Sequence, residues 1–456
     1  MKKKFYVLLI VVALFIMCSC SMEELGRISE STVSGETDSQ FHSAPEFNPE
    51  SASEPILDST PQPTAEPTPE PTTEPTEAPT PQPTESPQST KSPQPTETPM
   101  TDDEDRDAFV EKMLSEMSME DKISQMFMLR LESESGEVFT EPTDDLIDFS
   151  QRNIPGGYVL FGNNITDQAG TKALVDTVVE NSKYPPFMGI DEEGGVVTRL
   201  GEAKFPGYTP TAPAADIGAT GDPENAYQAG NTIGSALKSI GINLDFAPDA
   251  DVLTNPKNTV IGNRSFGSDP ELVSDMLSAF QRGLHDNGIM TAPKHFPGHG
   301  GTSGDSHLGF VSIDYDEKHL NSVEYKPFER AISEGTEFIL VGHINAPNAD
   351  KSGLPASLSS YFVTDTLRNQ LGFDGIIITD AMDMGAIIDN YGIGDSAVMA
   401  ISAGVDIVLM PKSYEEALEG VTAAIASGDI TEKRIDESVS RILRAKFNAG
   451  LFSDKK

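Results

Sequence analysis

The sequence predicts an α/β fold, a (β/α)8 TIM-type barrel that forms a single domain over residues 106–456 after a disordered amino-terminal linker. Three observations support this fold class. From residue 107 onward, short apolar runs alternate with longer amphipathic segments, as strands and helices alternate around a parallel sheet. Eight such units fit into about 350 residues, which suits a barrel with insertions. Polar residues follow several of the apolar runs, where a barrel places its functional site.

The strand candidates are eight short runs dominated by apolar and β-branched residues. They span 127–130, 157–161, 187–190, 242–246, 288–292, 338–341, 375–378 and 406–410. The helix candidates between them include 171–181, 225–239, 270–286, 323–334 and 361–371. An open, doubly wound sheet is the alternative, because periodicity does not tell whether a sheet closes.

Polar residues at the ends of the strand candidates favour the barrel over the open sheet. They follow five different candidates and are Asp191, Asp245 with Asp249, Lys294 with His295, His343, and Asp380. A barrel brings all of its carboxyl-terminal strand ends onto one face, whereas an open sheet concentrates its site at one crevice. We therefore expect these side chains to surround one pocket.

Residues 1–20 are typical of a bacterial lipoprotein signal peptide. Three lysines precede the thirteen apolar residues 5–17, which are too few for a transmembrane helix of about 20 residues. The segment Met17-Cys18-Ser19-Cys20 resembles a lipoprotein cleavage box, although Met17 replaces the usual leucine. We expect the mature chain to start at a lipidated Cys20 and to be anchored on the extracellular face of the cell membrane. Plain secretion is the alternative.

Residues 21–105 are predicted to be a disordered spacer. They carry nineteen acidic residues against Arg27 and Lys91, and Pro-Thr and Glu-Pro-Thr units repeat over 55–99. Such a composition buries too little apolar surface to offset its ordering entropy, and dense proline stiffens it towards polyproline II. A tolerated low-complexity insert without a spacer role is the alternative.

Charge and cysteine content exclude several classes of function. The net charge is −40, of which −26 falls on residues 106–456. We expect no nucleic-acid partner, because phosphate recognition relies on Lys and Arg. The chain has only Cys18 and Cys20, so we expect neither an intramolecular disulfide in the mature protein nor a Cys/His metal cluster. No metal or cofactor is predicted.

The stretch 289–307 concentrates the titratable residues. An apolar run leads into Lys294-His295-Phe-Pro-Gly-His299-Gly, and Asp305-Ser-His307 follows in the same glycine-rich loop. Buried unpaired cations and imidazoles cost free energy, so a core strand gains nothing from them; a polar surface loop is the alternative for any single histidine. These motifs resemble the signature of glycoside hydrolase family 3, in its β-N-acetylhexosaminidase branch, and the resemblance covers about residues 107–452.

The resemblance implies three catalytic residues. Asp380, in Thr379-Asp380, matches the nucleophile that attacks the anomeric carbon and forms a glycosyl-enzyme. His307 matches the general acid/base, and Asp305 matches the residue that orients its ring. An imidazole with an unperturbed pKa of about 6.5 suits both proton steps near neutrality. The alternatives are a helix cap for Asp380 and a surface pair for Asp305 and His307; we interpret Asp383 as a first-turn helix residue.

Five further residues are predicted to bind the sugar. Asp191 and Arg199 belong to Asp191-Glu-Glu-Gly-Gly-Val-Val-Thr-Arg199, and Arg264 belongs to Asn-Arg-Ser-Phe-Gly. Both segments resemble family motifs, and Lys294 and His295 complete the set. Carboxylates accept and cations donate hydrogen bonds to hydroxyls, although an arginine here can instead be a structural ion-pair partner. In two-domain relatives of this family, a second domain supplies a carboxylate as the acid/base. We do not expect such a domain between the eighth predicted unit and Lys456.

Three functions are compatible with these residues. The first is a cell-surface exo-β-N-acetylglucosaminidase that hydrolyses peptidoglycan fragments by double displacement. The second is a phosphorylase that uses the same pocket for an N-acetylglucosaminide or β-glucoside. The third is a non-catalytic carbohydrate-binding lipoprotein. In each, the partner is a carbohydrate, and the membrane is contacted through the lipid anchor only.

Overall fold

The computed structural model describes residues 102–304, 309 and 311–453. The predicted signal peptide, Cys20 and most of the predicted linker lie outside these residues, as do Asp305 and His307. The first helix of the described residues begins at Asp102, inside the range predicted as linker. Within the described ranges, no helix is both long and apolar enough to cross a membrane.

Twelve strands are present in the described part of the chain. In chain order they are β1 Phe127–Arg130, β2 Gly157–Val159, β3 Phe187–Ile190, β4 Glu192–Gly194, β5 Val197–Thr198, β6 Leu244–Asp245, β7 Met290–Thr291, β8 Val311–Ser312, β9 Phe338–Val341, β10 Ile344–Asn345, β11 Ile376–Thr379 and β12 Val408–Leu409. Each of the eight predicted strands is confirmed, since each candidate run overlaps one of these strands.

Helices occupy the segments between the strands. The α-helices span Asp102–Glu116, Met119–Gln125, Asp144–Arg152, Gln168–Asn181, Arg199–Glu202, Ala214–Gly218, Pro223–Ser239, Pro270–His285, Glu317–His319, Lys326–Ser333, Gly385–Ile388, Ile393–Ala403, Tyr414–Ser427 and Glu432–Asn448. The 3₁₀ turns are Gly162–Asn164, Gly262–Arg264 and Ala356–Leu358, and π-helical segments cover Leu320–Glu324 and Tyr361–Gln370.

The main strands form a curled parallel sheet. Six of them pair in the order β12-β1-β2-β3-β6-β7, and β9 pairs with β11 in parallel. Single parallel bridges join the two sets at both edges, Phe296 with Val341 and Ile378 with Ile407. Strands with both faces covered are apolar throughout, and here Phe187 and Phe338 meet edge-on inside, with ring centroids 5.0 Å apart. The α/β fold with a parallel sheet is therefore confirmed.

Two long helices pack unusually closely because glycines lie at their contact. The segments Pro223–Ser239 and Pro270–His285 each begin with proline after an aspartate cap, Asp222 or Asp269, a favoured start because the cap accepts the free amides. A Cβ on Gly230 would overlap the carbonyl oxygen of Phe280. The backbones of the two helices thus approach more closely than any larger side chain would allow.

Candidate active site

A cavity of about 300 Å³ opens at the carboxyl-terminal ends of the parallel strands. It is lined by residues that follow β1, β2, β3, β7, β11 and β12. Its charged lining is four cations and four carboxylates, namely Arg130, Arg199, Arg264, Lys294, Asp191, Glu193, Asp380 and Asp383. A larger cavity of about 730 Å³ lies where β7, β9 and β11 begin, and none of the predicted residues that the structure describes lines it.

Asp380 comes directly after β11 and faces the cavity. Its amide donates to the carbonyl of Val341 at 2.8 Å, and its Oδ1 accepts the amide of Ala381 at 2.8 Å. The buried side chain of His343 also contacts this segment. Its Nε2 lies 2.9 Å from the Ala381 carbonyl oxygen. The backbone around the predicted nucleophile is thus fixed by hydrogen bonds.

Lys294 is buried between two carboxylates. Its Nζ lies 2.6 Å from Asp191 Oδ1 and 2.7 Å from Glu193 Oε1. Burial acts to lower the pKa of Lys294, but the two carboxylates raise it above its ordinary value. Likewise, burial acts to raise the pKa of Asp191, while Lys294 and Arg199 lower it. Lys294 therefore stays protonated, and Asp191 stays ionised, at neutral pH.

Arg264 grips Glu193 with two parallel hydrogen bonds. Nε and Nη2 of Arg264 each lie 2.8 Å from one carboxylate oxygen of Glu193, the fork geometry that makes arginine–carboxylate pairs strong. The same Nη2 lies 3.3 Å from Nε2 of His295. Burial acts to raise the pKa of Glu193, and Arg264 and Lys294 lower it well below its usual range. Glu193 thus holds both cations in place.

Arg199 also lines the cavity. Its Nη2 is 3.4 Å from Asp191 Oδ2, and its Nη1 is 2.8 Å from Glu202 Oε1. The guanidinium carbon lies 5.4 Å from the centre of the Phe161 ring, and that of Arg130 lies 4.6 Å from the same centre. The predicted residues Asp191, Arg199, Arg264, Lys294, His295 and Asp380 all line one cavity.

Asp245 and Asp249, which the sequence predicts around the pocket, do not line this cavity; they are buried outside its lining, as is Asp251. Burial raises the pKa of Asp245 and that of Asp249 well above the ordinary value. Asp249, Asp251 and His295 each offer a ligand atom within 4.8 Å of the others, the residue types that bind divalent metals. The guanidinium of Arg264 lies only 3.7 Å from Asp249 Oδ2. A protein cation therefore already neutralises this cluster.

The predicted acid/base pair, Asp305 and His307, lies outside the described residues and stays a prediction. His299, the nearest described histidine of the same loop, is buried in the cavity wall, and its Nδ1 lies 2.8 Å from Thr302 Oγ1. Burial and the neighbouring His295 lower its pKa. His343, which follows β9, has Nδ1 at 2.7 Å from Ser357 Oγ and Nε2 beside the Ala381 carbonyl, so it serves the backbone after β11.

Sequence reasoning missed several pocket residues and misread one. Asp383 is not in the first turn of a helix: the next helix begins at Gly385, and Asp383 instead forms an ion pair with Arg130 at 2.8 Å in the cavity wall. Glu193 belongs to the segment 191–199, but only its position between Lys294 and Arg264 reveals its importance. The signal for Arg130 was available, since it is a cation directly at the end of a strand.

A family model described as "Glycosyl hydrolase family 3 N terminal domain" matches residues 118–445. The chain belongs to glycosyl hydrolase family 3. This confirms the family inferred from the motifs around Lys294 and Asp380.

Relatives of this family 3 chain carry hexosaminidase names. "Beta-hexosaminidase A" of Pseudoalteromonas piscicida is 33% identical over 319 residues, which cover 64% of this chain and 53% of the relative. "Beta-hexosaminidase LpqI" of Mycobacterium tuberculosis is 33% identical over 298 residues, which cover 64% of this chain and 75% of the relative. The chain thus spans about half the length of one curated relative and three quarters of the other.

A solved structure supports the same relationship. The family 3 β-N-acetylglucosaminidase from Paenibacillus sp. str. FPU-7 superposes with a TM-score of 0.69 at 36% sequence identity. The match covers 74% of this family 3 chain and 63% of the solved chain.

Proposed function

We propose that this protein is a retaining exo-β-N-acetylglucosaminidase that removes terminal β-linked N-acetylglucosamine, with peptidoglycan fragments as its natural substrate. The observation that carries the proposal is that the carboxylate of Asp380 lines the same small cavity as Asp191, Lys294 and Arg264. A carboxylate beside groups that can bind a sugar ring is the arrangement that a glycosyl-enzyme mechanism needs.

The proposed reaction is a double displacement. The Asp380 carboxylate attacks the anomeric carbon, and the bond to the leaving oxygen breaks as the His307 imidazolium gives that oxygen its proton. The neutral His307 then takes a proton from water, whose oxygen displaces Asp380 from the anomeric carbon and completes net retention. Asp305 orients the imidazole in both steps, and each proton transfer contributes about 10²- to 10⁴-fold to the rate.

The sugar-binding roles follow from the charges in the cavity. Asp191 is ionised beside Lys294, so its oxygens accept hydrogen bonds from sugar hydroxyls, while Arg199 and Arg264 donate to them. The cavity volume of about 300 Å³, at the lower end for small-molecule sites, supports removal of one terminal sugar at a time. The two bridges between the strand sets support closure of the eight main strands into a (β/α)8 barrel.

The proposal is tested with the full chain and a panel of p-nitrophenyl β-glycosides. We expect the N-acetylglucosaminide to be turned over in preference to the glucoside, and Asp380→Asn to abolish turnover without changing the circular dichroism spectrum. A 2-fluoro donor should label Asp380, as found by peptide mass spectrometry. Labelling elsewhere, or wild-type rates in Asp380→Asn, would contradict the assignment.

Two further outcomes separate the alternatives. If added phosphate yields a sugar 1-phosphate at the expense of free sugar, the protein is a phosphorylase. If the protein binds N-acetylglucosamine oligomers but turns over no glycoside, it is a carbohydrate-binding protein. Hydrolysis that phosphate does not alter supports the proposal.

A further inference from the structure

Asp251 is a buried carboxylate that contacts two segments bearing predicted site residues. It is fully buried, and its Oδ2 lies 2.8 Å from Nδ1 of His295. Its Oδ1 accepts the amide of His299 at 2.5 Å, and its carbonyl oxygen accepts the hydroxyl of Ser265, next to Arg264, at 2.6 Å. One residue therefore links the chain after β6 to the segments that carry Arg264, His295 and His299.

The Asp251 carboxylate also determines which ring nitrogen of His295 carries the proton. Burial acts to raise the pKa of Asp251, but His295 lowers it, so Asp251 is ionised and accepts hydrogen bonds only. The ring nitrogen facing it, Nδ1, must then be the donor. In neutral His295 this leaves Nε2 as an acceptor, and the neighbour of Nε2 is Nη2 of Arg264 at 3.3 Å, which donates. Both contacts therefore favour the tautomer of His295 that carries its proton on Nδ1.

The neighbouring aspartate strengthens this assignment. Asp249 Oδ1 accepts the amide of Asp251 at 3.0 Å, and its Oδ2 has no hydrogen-bond partner. Burial and the charge of Asp251 raise the pKa of Asp249, whereas His295 lowers the pKa of Asp251, so Asp251 is the more readily ionised of the two. Asp251 keeps the negative charge that His295 faces.

We propose that Asp251 is a positioning residue for the proposed glycosidase: it holds His295 with the proton on Nδ1, so that Nε2 accepts the hydrogen bond of Arg264 Nη2 and keeps that guanidinium in the wall of the sugar-binding cavity. The inference rests on the proposed function and adds to it. A ring turned or protonated the other way would present a donor where Arg264 already donates, and this contact with the Arg264 side chain would be lost.

The test combines nitrogen NMR with kinetics on the full chain. With seven histidines in the chain, selective ¹⁵N-histidine labelling resolves the individual rings, and His295→Gln assigns the signal. In the wild type we expect a protonated Nδ1. In Asp251→Asn, the amide NH₂ can donate to Nδ1, and we expect the proton to move to Nε2. A wild-type His295 protonated on Nε2 would overturn the inference, whether or not the variant folds.

The kinetic arm asks whether Asp251 acts through His295. Because small misplacements of binding groups cost up to roughly 10²-fold, we expect Asp251→Asn to lower kcat/KM for N-acetylglucosaminides by about that factor, mainly through KM. In the His295→Gln background, Asp251→Asn should add little further loss. Full additivity of the two losses would contradict the inference.

A matched control removes a buried carboxylate elsewhere. Asp350 is also buried, and its Oδ2 accepts the hydroxyls of Ser352 and Ser359, each at 2.6 Å. Asp350→Asn should lower the unfolding midpoint without moving the His295 proton. The NMR arm also separates two failures: if the wild type hydrolyses nothing, the proposed function fails, yet the tautomer still reports on Asp251.

Discussion

Glu324 is a carboxyl group that the fold keeps away from water. It is 1% exposed, its Oε1 lies 3.4 Å from both Thr254 Oγ1 and His319 Nε2, and its Oε2 has no hydrogen-bond partner. Burial, with a contribution from Asp251, raises the pKa of Glu324 from 4.5 to about 8. The folded protein therefore holds a proton there that the unfolded chain has already released at neutral pH.

This raised pKa predicts how stability changes with pH. Between pH 4.5 and about 8, the native state binds one more proton than the unfolded state, so Glu324 makes the free energy of unfolding fall as pH rises, by at most about 1.4 kcal/mol per pH unit. In Glu324→Gln this slope should disappear, because the amide is neutral at every pH. Urea unfolding at pH 5, 6.5 and 8 measures it. Glu329→Gln, a partly exposed control, should keep the wild-type slope.

His307 gives a prediction that depends on the leaving group. Protonation matters for a sugar hydroxyl and little for an activated phenol. His307→Ala should therefore lower hydrolysis of a natural disaccharide by about 10²- to 10⁴-fold. With a dinitrophenyl glycoside, rapid kinetics should show a burst of phenol followed by slow turnover, since the imidazole is also needed to activate water.

Asp305→Ala should show a milder form of the same behaviour, because it removes only the group that orients the ring. An equal loss on both substrates without a burst would mean that His307 binds sugar. His299 would then be the next candidate, because it lines the cavity.

At the scale of single residues, the sequence identifies side chains that belong to recognisable motifs. It does not identify side chains whose role depends on neighbours that are distant in sequence. Asp191 and Asp380 follow strands directly and Lys294 lies three residues after one, so their placement around one cavity could be foreseen. The importance of Glu193 and Asp251 arises from residues about 70 and 44 positions away, and such distances have no local pattern.

The contact between the helices 223–239 and 270–285 belongs to the scale of elements. A methyl group on Gly230 would overlap the Phe280 carbonyl, so Gly230→Ala must push the helices apart. Overpacking typically costs about 1 to 3 kcal/mol, more than the gain in helix propensity of up to about 1 kcal/mol. We expect a lower free energy of unfolding in urea. Ser235→Ala, at an exposed position of the same helix, should be neutral or slightly stabilising.

The main strands and long helices could be predicted because apolar periodicity extends over each of them. The antiparallel hairpin of β4 and β5 could not, because its residues are read as a binding motif and carry no alternating pattern. The π-helical segment 361–370 was predicted as an ordinary helix, since both helix types bury one apolar face.

At the scale of the whole molecule, the proposed lipid anchor makes a prediction about Cys20. A diacylglycerol chain on this residue would hold the protein at the membrane, since each buried CH₂ contributes about 0.8 kcal/mol. Cys20→Ala should therefore move the protein from the membrane fraction to the medium, as followed by immunoblotting. Cys18→Ala is the matched control and should stay with the membrane. Identical fractionation of Cys20→Ala and the parent would contradict the anchor.

The cavity is lined by charged side chains of both signs, which balance one another. Four cations and four carboxylates line it, so the space that receives the sugar is close to neutral although the chain as a whole carries −40. A neutral sugar therefore displaces no condensed ions when it enters the cavity, and salt screening has little effect on its binding. KM for a neutral glycoside should stay nearly constant between about 0.05 and 0.5 M salt, a range over which the Debye length falls several-fold. The same titration with a charged leaving sugar would report the field of the surrounding acidic surface.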